Sequence, residues 1–333
     1  MTGGLRDLAE KCLPLASCAP LTSPLVPLEN AGADYSLRSL PATHIGSAFV
    51  TVNCKPWGFD YVNAVAKYFW QSAMGNCERQ YLTPTVQPSK SINNSPCSIC
   101  GYDFSEVHSA VGTAHAKTEC ELIVDIGANQ GWWMLPPTSR CWRVLAIEPV
   151  QANVHQLKLN AWLNGFGPER LGILHAAASN ATGWAEVFSP SDRADNAALT
   201  RASAARISRN VEVTRTRTIR LDEYFGGADA RLWQSVKFIK IDTQGHELPA
   251  LQGLGKLLGS PPYPDVQVEL DEALQAAQGH TTAQVHAFMK SKCYAAWCAA
   301  PGGLLRHQNG VSGACAVGGF RKDDVLFRHK GTC

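Results

Sequence analysis

Val124-Asp125-Ile126-Gly127-Ala128-Asn129-Gln130-Gly131 is the stretch on which the fold turns. A short apolar run, Leu122-Ile123-Val124, leads into it. A second run, Val144-Leu145-Ala146-Ile147, follows and ends in Glu148-Pro149. A strand, a turn of small residues and a second strand closed by a carboxylate form the layout of a nucleotide-type cofactor site. Gly127 and Gly131 let the backbone approach a ligand closely, and Asn129 tolerates a left-handed backbone. Glu148 stands 21 residues beyond Gly127, where an acid can accept hydrogen bonds from two ribose hydroxyls. The same stretch would also suit a tight turn in an α/β domain that binds nothing.

The chain around it has 333 residues, enough for one large domain or two smaller ones. Its 45% apolar and 17% charged content is that of a globular protein. A net charge of +2 makes no case for nucleic-acid binding. No apolar run approaches the length of a membrane span. Near the N-terminus, Asp7, Glu10 and Lys11 interrupt what a signal peptide would keep apolar. The 12 cysteines have no repeated spacing. Two sequons, Asn93-Asn94-Ser95 and Asn180-Ala181-Thr182, matter only inside a secretory lumen. On balance the expectation leans to a soluble cytoplasmic chain over a lumenal one. Oligomeric state is left open.

The expected division is an N-terminal extension over 1–118 and an α/β domain over 119–330. Residues 1–56 are rich in Pro, Ser and Ala and are expected to be partly disordered. Tyr61, Val65, Tyr68, Phe69 and Trp70 fall near helical spacing and predict a helix within 57–73. Residues 82–98 resemble a linker, and Phe104, Val107 and Val111 predict a second short helix. Cys97-Ser98-Ile99-Cys100, with His108, His115 and Cys120, offers zinc-type ligands without a known spacing. A redox or disulfide pair, or two thiols in a loop, fits the same residues.

From about 119, short β-type runs alternate with helical stretches: 121–126, 142–148, 171–177, 236–242, 265–270 and 323–328. This predicts a mostly parallel sheet covered by helices on both faces. Val154, Leu157, Ala161 and Leu163 give the apolar face of a helix that Asn160 and Asn164 end. A second helix is expected over Thr282–Ser291, followed by a short strand near Tyr294 and a Gly-rich connection over 302–319. Within 180–220, Trp184–Phe188 and Val211–Thr216 read as an inserted hairpin. Arg193, Arg201, Arg206, Arg209, Arg215, Arg217 and Arg220 crowd it, as a solvated face or as contacts for an anionic substrate. Asp125, Glu148, Asp242 and Glu269 all fall at the carboxyl ends of strands, the edge where open α/β sheets bind ligands.

These motifs resemble the FkbM family of S-adenosylmethionine-dependent methyltransferases. The resemblance rests on Val124–Gly131, Ile147-Glu148-Pro149, Thr218–Asp222, Phe238–Glu247, Leu251-Gln252-Gly253 and Val268-Glu269, and spans roughly 120–330. It implies the class I, Rossmann-like fold, with a seven-stranded, mostly parallel sheet whose last strand is antiparallel. It implies S-adenosyl-L-methionine as cofactor and a hydroxylated small-molecule or glycan acceptor. Asp125, Gly127, Asn129 and Gly131 would then hold the methionine end, Glu148 the ribose, and Ala176-Ala177-Ala178 would lie near the adenine. The family pattern Lys-Ile-Asp-x-Glu-Gly-x-Glu carries an acid where this chain has Gln244. Only 12 residues separate Gly131 from Val144, and Pro136-Pro137 shortens the intervening helix.

Methyl transfer to an alcohol needs a base for the hydroxyl proton. Asp242 is the first candidate, with His246 and Glu269 behind it. His246 has the more suitable ordinary pKa, and would otherwise be a surface or capping residue. Glu247 reads as a support for the loop. Asp242 and Glu269 are oxygen ligands that a divalent cation would also accept, but no metal is assigned. Two rivals stay open. One is a nicotinamide-dependent oxidoreductase, which the incomplete G-x-G-x-x-G pattern disfavours. The other is a methyltransferase fold that binds without turnover.

Overall fold

A computed structural model describes residues 18, 21, 47–52, 64–71, 76–81, 98–99, 102–103, 120–131, 133–138, 141–163, 166–190, 197–205, 211–299, 305–307 and 324–331. The main sheet begins with β1 (Leu122–Ile126), β2 (Arg143–Glu148) and β3 (Leu171–His175). A second sheet takes β4 (Ala177–Ala178), β5 (Gly183–Pro190) and β6 (Val211–Ile219). The main sheet resumes with β7 (Val236–Ile241), β8 (Asp265–Glu269), β9 (Tyr294–Ala299), β10 (Leu305–His307) and β11 (Asp324–His329). Its order is β10-β9-β11-β8-β7-β1-β2-β3. Strands β3, β2, β1, β7 and β8 are parallel, and β11 runs antiparallel between β8 and β9. This is the seven-stranded class I methyltransferase order, with the short β10 added at one edge. The chain reverses direction in the sheet between β1 and β7, which leaves a crevice at their carboxyl ends.

The strands form where the sequence is most continuously apolar. Every residue of β1 and β2 is buried, as parallel strands covered on both faces require. The third predicted run divides: 171–175 stay in the main sheet, while Ala177-Ala178 turn away and pair in parallel with Thr218-Ile219 of β6. Strands β5 and β6 pair antiparallel from Gly183↔Thr218 to Pro190↔Val211.

The helices follow from their ends. Helix α1 (Leu135–Thr138) is only four residues long. Pro136 and Pro137 fall in its first turn, where a missing N–H costs nothing, and they keep a helix from starting further back toward Gly131. Trp133, just before it, is buried and stacks on Phe238 with ring centroids 5.8 Å apart. Helix α2 (Gln151–Leu163) runs through Asn160 rather than ending there. The buried Asn160 amide donates to the Gln130 carbonyl at 2.7 Å, so it braces the first loop instead of capping the helix.

Five further helices follow: α4 (Leu221–Gly227), α5 (Ala230–Gln234), α6 (Glu247–Gly253), α7 (Glu272–Ala277) and α8 (Thr282–Ser291). A short α3 (Arg201–Ala205) lies beside β5 and β6. Helix α8 starts in a full capping box between Thr281 and Gln284. Val285 and Met289 are buried, and Phe288 packs against the same core.

The N-terminal part departs from expectation. Ala64–Gln71 is a strand, paired antiparallel with Ser47–Val52 and Asn76–Tyr81, where a helix was expected. Tyr68-Phe69-Trp70 is an aromatic run that favours extended backbone, and neighbouring strands overrode the weak helical spacing. The second predicted helix, near Phe104–Val111, and most of the predicted linker lie outside the described residues. Cys18 is disulfide-bonded to Cys120, which removes Cys120 from the zinc-type set. Cys97, Cys100, His108 and His115 lie outside the described residues. Leu21 is buried in the main core, and the Tyr224 hydroxyl donates to its carbonyl. Cys18 and Leu21 are therefore tied to the α/β domain.

Ile239 is fully buried on β7, between β1 and β8. Ile239→Ala is expected to cost about 2–5 kcal/mol by urea unfolding, through lost burial and the cavity left behind.

Candidate active site

The turn after β1 takes the backbone its residues permit. Asn129 sits at φ 52, Gly127 at φ 79 and Gly131 at φ 92. The glycines, however, make room for protein. A Cβ built on Gly127 would lie 1.7 Å from the Asp242 carbonyl oxygen. One on Gly131 would meet Leu157 and Met134. The Asp242 amide donates to the Ile126 carbonyl at 3.0 Å, so the carboxyl ends of β1 and β7 are drawn together at that point.

A cleft open to solvent lies over this junction. Gly127, Asn129, Glu148 and Ala177 line it, as do Asp242 and His246. Asp125 and Gly131 do not line it and lie behind the loop. Glu269 is not on the wall either; its Oε2 is 3.4 Å from the Gln244 amide. Ala197, Ala198 and Leu199, from the inserted segment, form a further wall.

Glu148 is held in place by its neighbours. Its Oε2 accepts from the Asn129 amide at 2.8 Å. Its Oε1 accepts from the Val150 amide at 3.0 Å and the Asn153 side chain at 3.2 Å. Oε1 is thereby saturated, and Oε2 keeps capacity for one hydroxyl rather than the two expected. Burial pushes the Glu148 carboxyl up to about 7, against these hydrogen bonds.

Asp125 is wholly buried, and neither oxygen has a hydrogen-bond donor among the described residues. Burial raises it to about 6, opposed by the Lys240 ammonium 3.8 Å away. Lys240 also faces Asp242 at 3.4 Å, so one buried cation lies between two carboxylates. The Gln244 amide donates to Asp242 Oδ1 at 2.9 Å and reaches Glu269 at 3.4 Å. It thus fills the gap between the two carboxylates that a cation would have bridged. Gln244 itself sits at φ 54.

Glu247 supports the loop, as its position suggested. Its Oε1 accepts from the Thr243 amide and hydroxyl and from the Gly245 amide, and Oε2 accepts from Gln275. Burial lifts this carboxyl to about 7. His246 stands at the N-cap position of α6, but its side chain makes no capping bond. It bonds Ser179 Oγ through Nε2 at 3.0 Å and Gln278 Oε1 through Nδ1 at 3.0 Å. Burial lowers its pKa, with His280 adding to the effect and Gln278 opposing it.

The sequence reading missed Asn153, Asn160, Ser179, Gln275 and Gln278. For the asparagines a signal existed. They are seven residues apart, two turns on one helix face, directly after the acid that Asn153 holds. The arginines give the opposite result. Arg215 and Arg217 flank the exposed Trp184 at 4.9 and 5.3 Å, Arg201 lies over Phe188, and Arg220 pairs with Asp222. None of these lines the cleft, and Arg193, Arg206 and Arg209 lie outside the described residues. Among the described residues there is no group of three His, Cys, Asp or Glu placed to hold a metal.

Strand order, reversal point and a cleft edged by carboxylates define a class I methyltransferase fold. The family model for the methyltransferase FkbM domain matches residues 125–295. The chain belongs to that family. Among solved structures it is similar to methyltransferase FkbM from Methylobacillus flagellatus KT, at 18% identity and a TM-score of 0.37. That match covers 63% of this chain and 44% of the other, so the chain spans less than half of that protein's length. It is also similar to the C-terminal domain of precorrin-6Y C5,15-methyltransferase from Rhodobacter capsulatus, at 13% identity and a TM-score of 0.32, over 68% and 85% of the two chains. A SAM-dependent methyltransferase from Agrobacterium tumefaciens matches at 9% identity and a TM-score of 0.34, over 88% and 96%. A search of curated proteins finds no match.

The raised Glu148 carboxyl carries a stability prediction. In the unfolded chain it titrates in the usual carboxylate range, near 4. Between there and about 7 the folded state binds the extra proton. This contribution is full below the unfolded value and is lost as pH rises through about 7. Glu148→Gln cannot ionise. Its urea midpoint should therefore rise relative to wild type as pH goes from 5 to 8, and a constant difference would contradict the assignment.

Proposed function

We propose that the chain is an S-adenosylmethionine-dependent methyltransferase acting on a hydroxyl oxygen of a carbohydrate, lipid or other small molecule. The observation that carries this is the single cleft that gathers the Gly127–Asn129 turn, Glu148, the Ala176–Ala178 wall, Asp242 and His246. These residues suit the cofactor. Glu148 Oε2 retains an acceptor site for a ribose hydroxyl. Ile147, Pro149 and Ala176–Ala178 offer an apolar slot for a base. Carboxylates at the floor suit a cationic sulfonium and an ammonium. When bound, the cofactor supplies an electrophilic methyl group.

The chain's own residues then have distinct tasks. Gly127, Asn129, Glu148 and Ala177 would contact the cofactor. Asp125 and Gly131 would shape the loop from behind. Asp242 and His246 would face the acceptor hydroxyl, to orient it and to take its proton. Glu269 would act on Asp242 only through Gln244.

The compartment is part of the same proposal. Cys18, Cys120, Cys141 and Cys293 are all disulfide-bonded. Disulfides persist in oxidising compartments and are rare in the cytosol. We therefore place the chain on the oxidising side of a membrane, contrary to the leaning taken from sequence alone. Among the described residues no helix is long and apolar enough to cross a membrane.

Two measurements test these points. S-adenosylhomocysteine should bind by calorimetry, and Glu148→Ala should weaken it at least tenfold, while NAD should not bind. Equal affinity in wild type and variant would sink the cofactor assignment. Thiol alkylation of the endogenous chain before reduction should leave Cys141 and Cys293 unlabelled; labelling of both would return the chain to a reducing compartment.

A further inference from the structure

His246 lies in the cleft with a partner on each ring nitrogen, and its chemistry depends on which nitrogen carries the proton. Ser179 does not decide this. Its hydroxyl could donate to Nε2 at 3.0 Å, or to Asn180 Oδ1 at 3.5 Å while accepting from Nε2. Gln278 does decide it. Its Nε2 lies 3.1 Å from the Gln244 carbonyl oxygen, which can only accept. The amide is therefore oriented with Oε1 toward the ring. Oε1 also only accepts, so His246 Nδ1 must be the donor. A neutral ring with the proton on Nδ1 leaves a lone pair on Nε2, and the Ser179 hydroxyl then donates to it.

We infer that Gln278 is a positioning residue that makes His246 Nε2, reached through the Ser179 hydroxyl, the proton acceptor of this site. This rests on the methyltransferase reading and deepens it. Ser179 is buried and directly follows Ala178 of the cleft wall without lining the cleft itself, so the acceptor hydroxyl meets it beside Ala178 and passes its proton to Ser179 Oγ as Ser179 passes its own to Nε2. The O–H bonding pair stays on the acceptor oxygen, which uses it in the new bond to carbon, while the carbon–sulfur bond of the methyl donor breaks and its pair leaves with sulfur. The ring ends as imidazolium, so the positive charge leaving the sulfonium methyl donor is retained in the site as a proton.

Asp242 is less suited to this step. One oxygen already accepts from Gln244 and the other faces Lys240. The groups around His246 are consistent with a neutral ring. His280 repels an added proton, and Glu247 is directed into its own loop by the Thr243 and Gly245 amides. Burial favours the uncharged form. Gln278 is placed for its task by ending α7, with its amide N–H on the Ala276 and Gln275 carbonyls. The left-handed Gln244 aims the carbonyl that orients it.

The test is long-range ¹H–¹⁵N NMR on the full chain with ¹⁵N-labelled histidine, His246 being assigned by loss of its signals in His246→Asn. Near neutral pH wild type should show Nδ1 protonated and Nε2 unprotonated. A proton on Nε2 would overturn the inference. Gln278→Glu puts a carboxylate opposite Nδ1–H and should raise the His246 titration midpoint by about one pH unit or more. Gln278→Leu should populate both tautomers. If neither variant moves the His246 signals, the inference also fails. S-adenosylhomocysteine calorimetry on the same wild-type sample separates the two levels. Absent binding fails the methyltransferase reading, whereas binding with Nε2 protonated fails this inference alone.

Discussion

The close approach of Gly127 to the Asp242 carbonyl is the constraint on which the rest of the site depends. The Asp242 amide donates to the Ile126 carbonyl at 3.0 Å as the last bond of the parallel β1–β7 ladder, and only a residue without a side chain fits at 127. The first turn and the loop after β7 are thus one unit. Asn160 ties that unit to α2 through Gln130, and Glu247 ties it to α7 through Gln275. The cleft opens where these braces leave space.

The same junction concentrates charge. Asp125, Asp242 and Lys240 lie within ion-pair distance, with Asp125 and Lys240 buried. Burying such a set is costly unless each charge is compensated. Lys240 serves both acids, and its ammonium also lies 6.0 Å from the centre of the Trp133 ring. Trp133 in turn stacks on Phe238 from the same strand. The shortened α1 has a use here. Its two prolines keep the helix from starting nearer the loop, and Trp133, just before it, stacks beside β7.

Much of this was legible in the sequence because it is local. Continuous apolar runs located the parallel strands to within a residue or two. Gly127, Asn129 and Glu148 announced the turn and its acid. The β5–β6 hairpin followed from alternation. What stayed hidden has a common physical cause: partners far apart in sequence. Cys18 pairs with Cys120 across 102 residues. Gln278 reaches His246 across 32, and Ser179 reaches it across 67. No period or spacing encodes these contacts. The Ala64–Gln71 strand was misread because an aromatic run with loose helical spacing is decided by strand partners that no local pattern names. Gly127 is a different case. The glycine was recognised, but its second constraint, the close approach of the Asp242 carbonyl, comes from a strand far along the chain.

The electrostatics of the cleft bear on which acceptor it can take. The titratable residues that line the cleft are Asp242, Glu148 and a half-buried His246 whose pKa burial lowers. Lys240, beside Asp242, is buried and committed to two carboxylates. An anionic group brought to this floor would meet like charge in a partly desolvated space, which is unfavourable by Coulomb's law at low effective dielectric. A cationic methyl donor and a neutral hydroxyl meet no such penalty. The described arginines of the inserted segment lie off the cleft wall, against Trp184, Phe188 and Asp222. The wall that segment contributes, Ala197-Ala198-Leu199, is small and apolar. Position 198 is fixed by a two-way backbone bridge to Phe188 on β5. On the proposed reading, an anionic part of an acceptor is disfavoured beside the reacting oxygen. The wall at 197–199, which no strand of the main sheet supplies, is where selectivity for its neutral part can be set without disturbing the junction of β1 and β7.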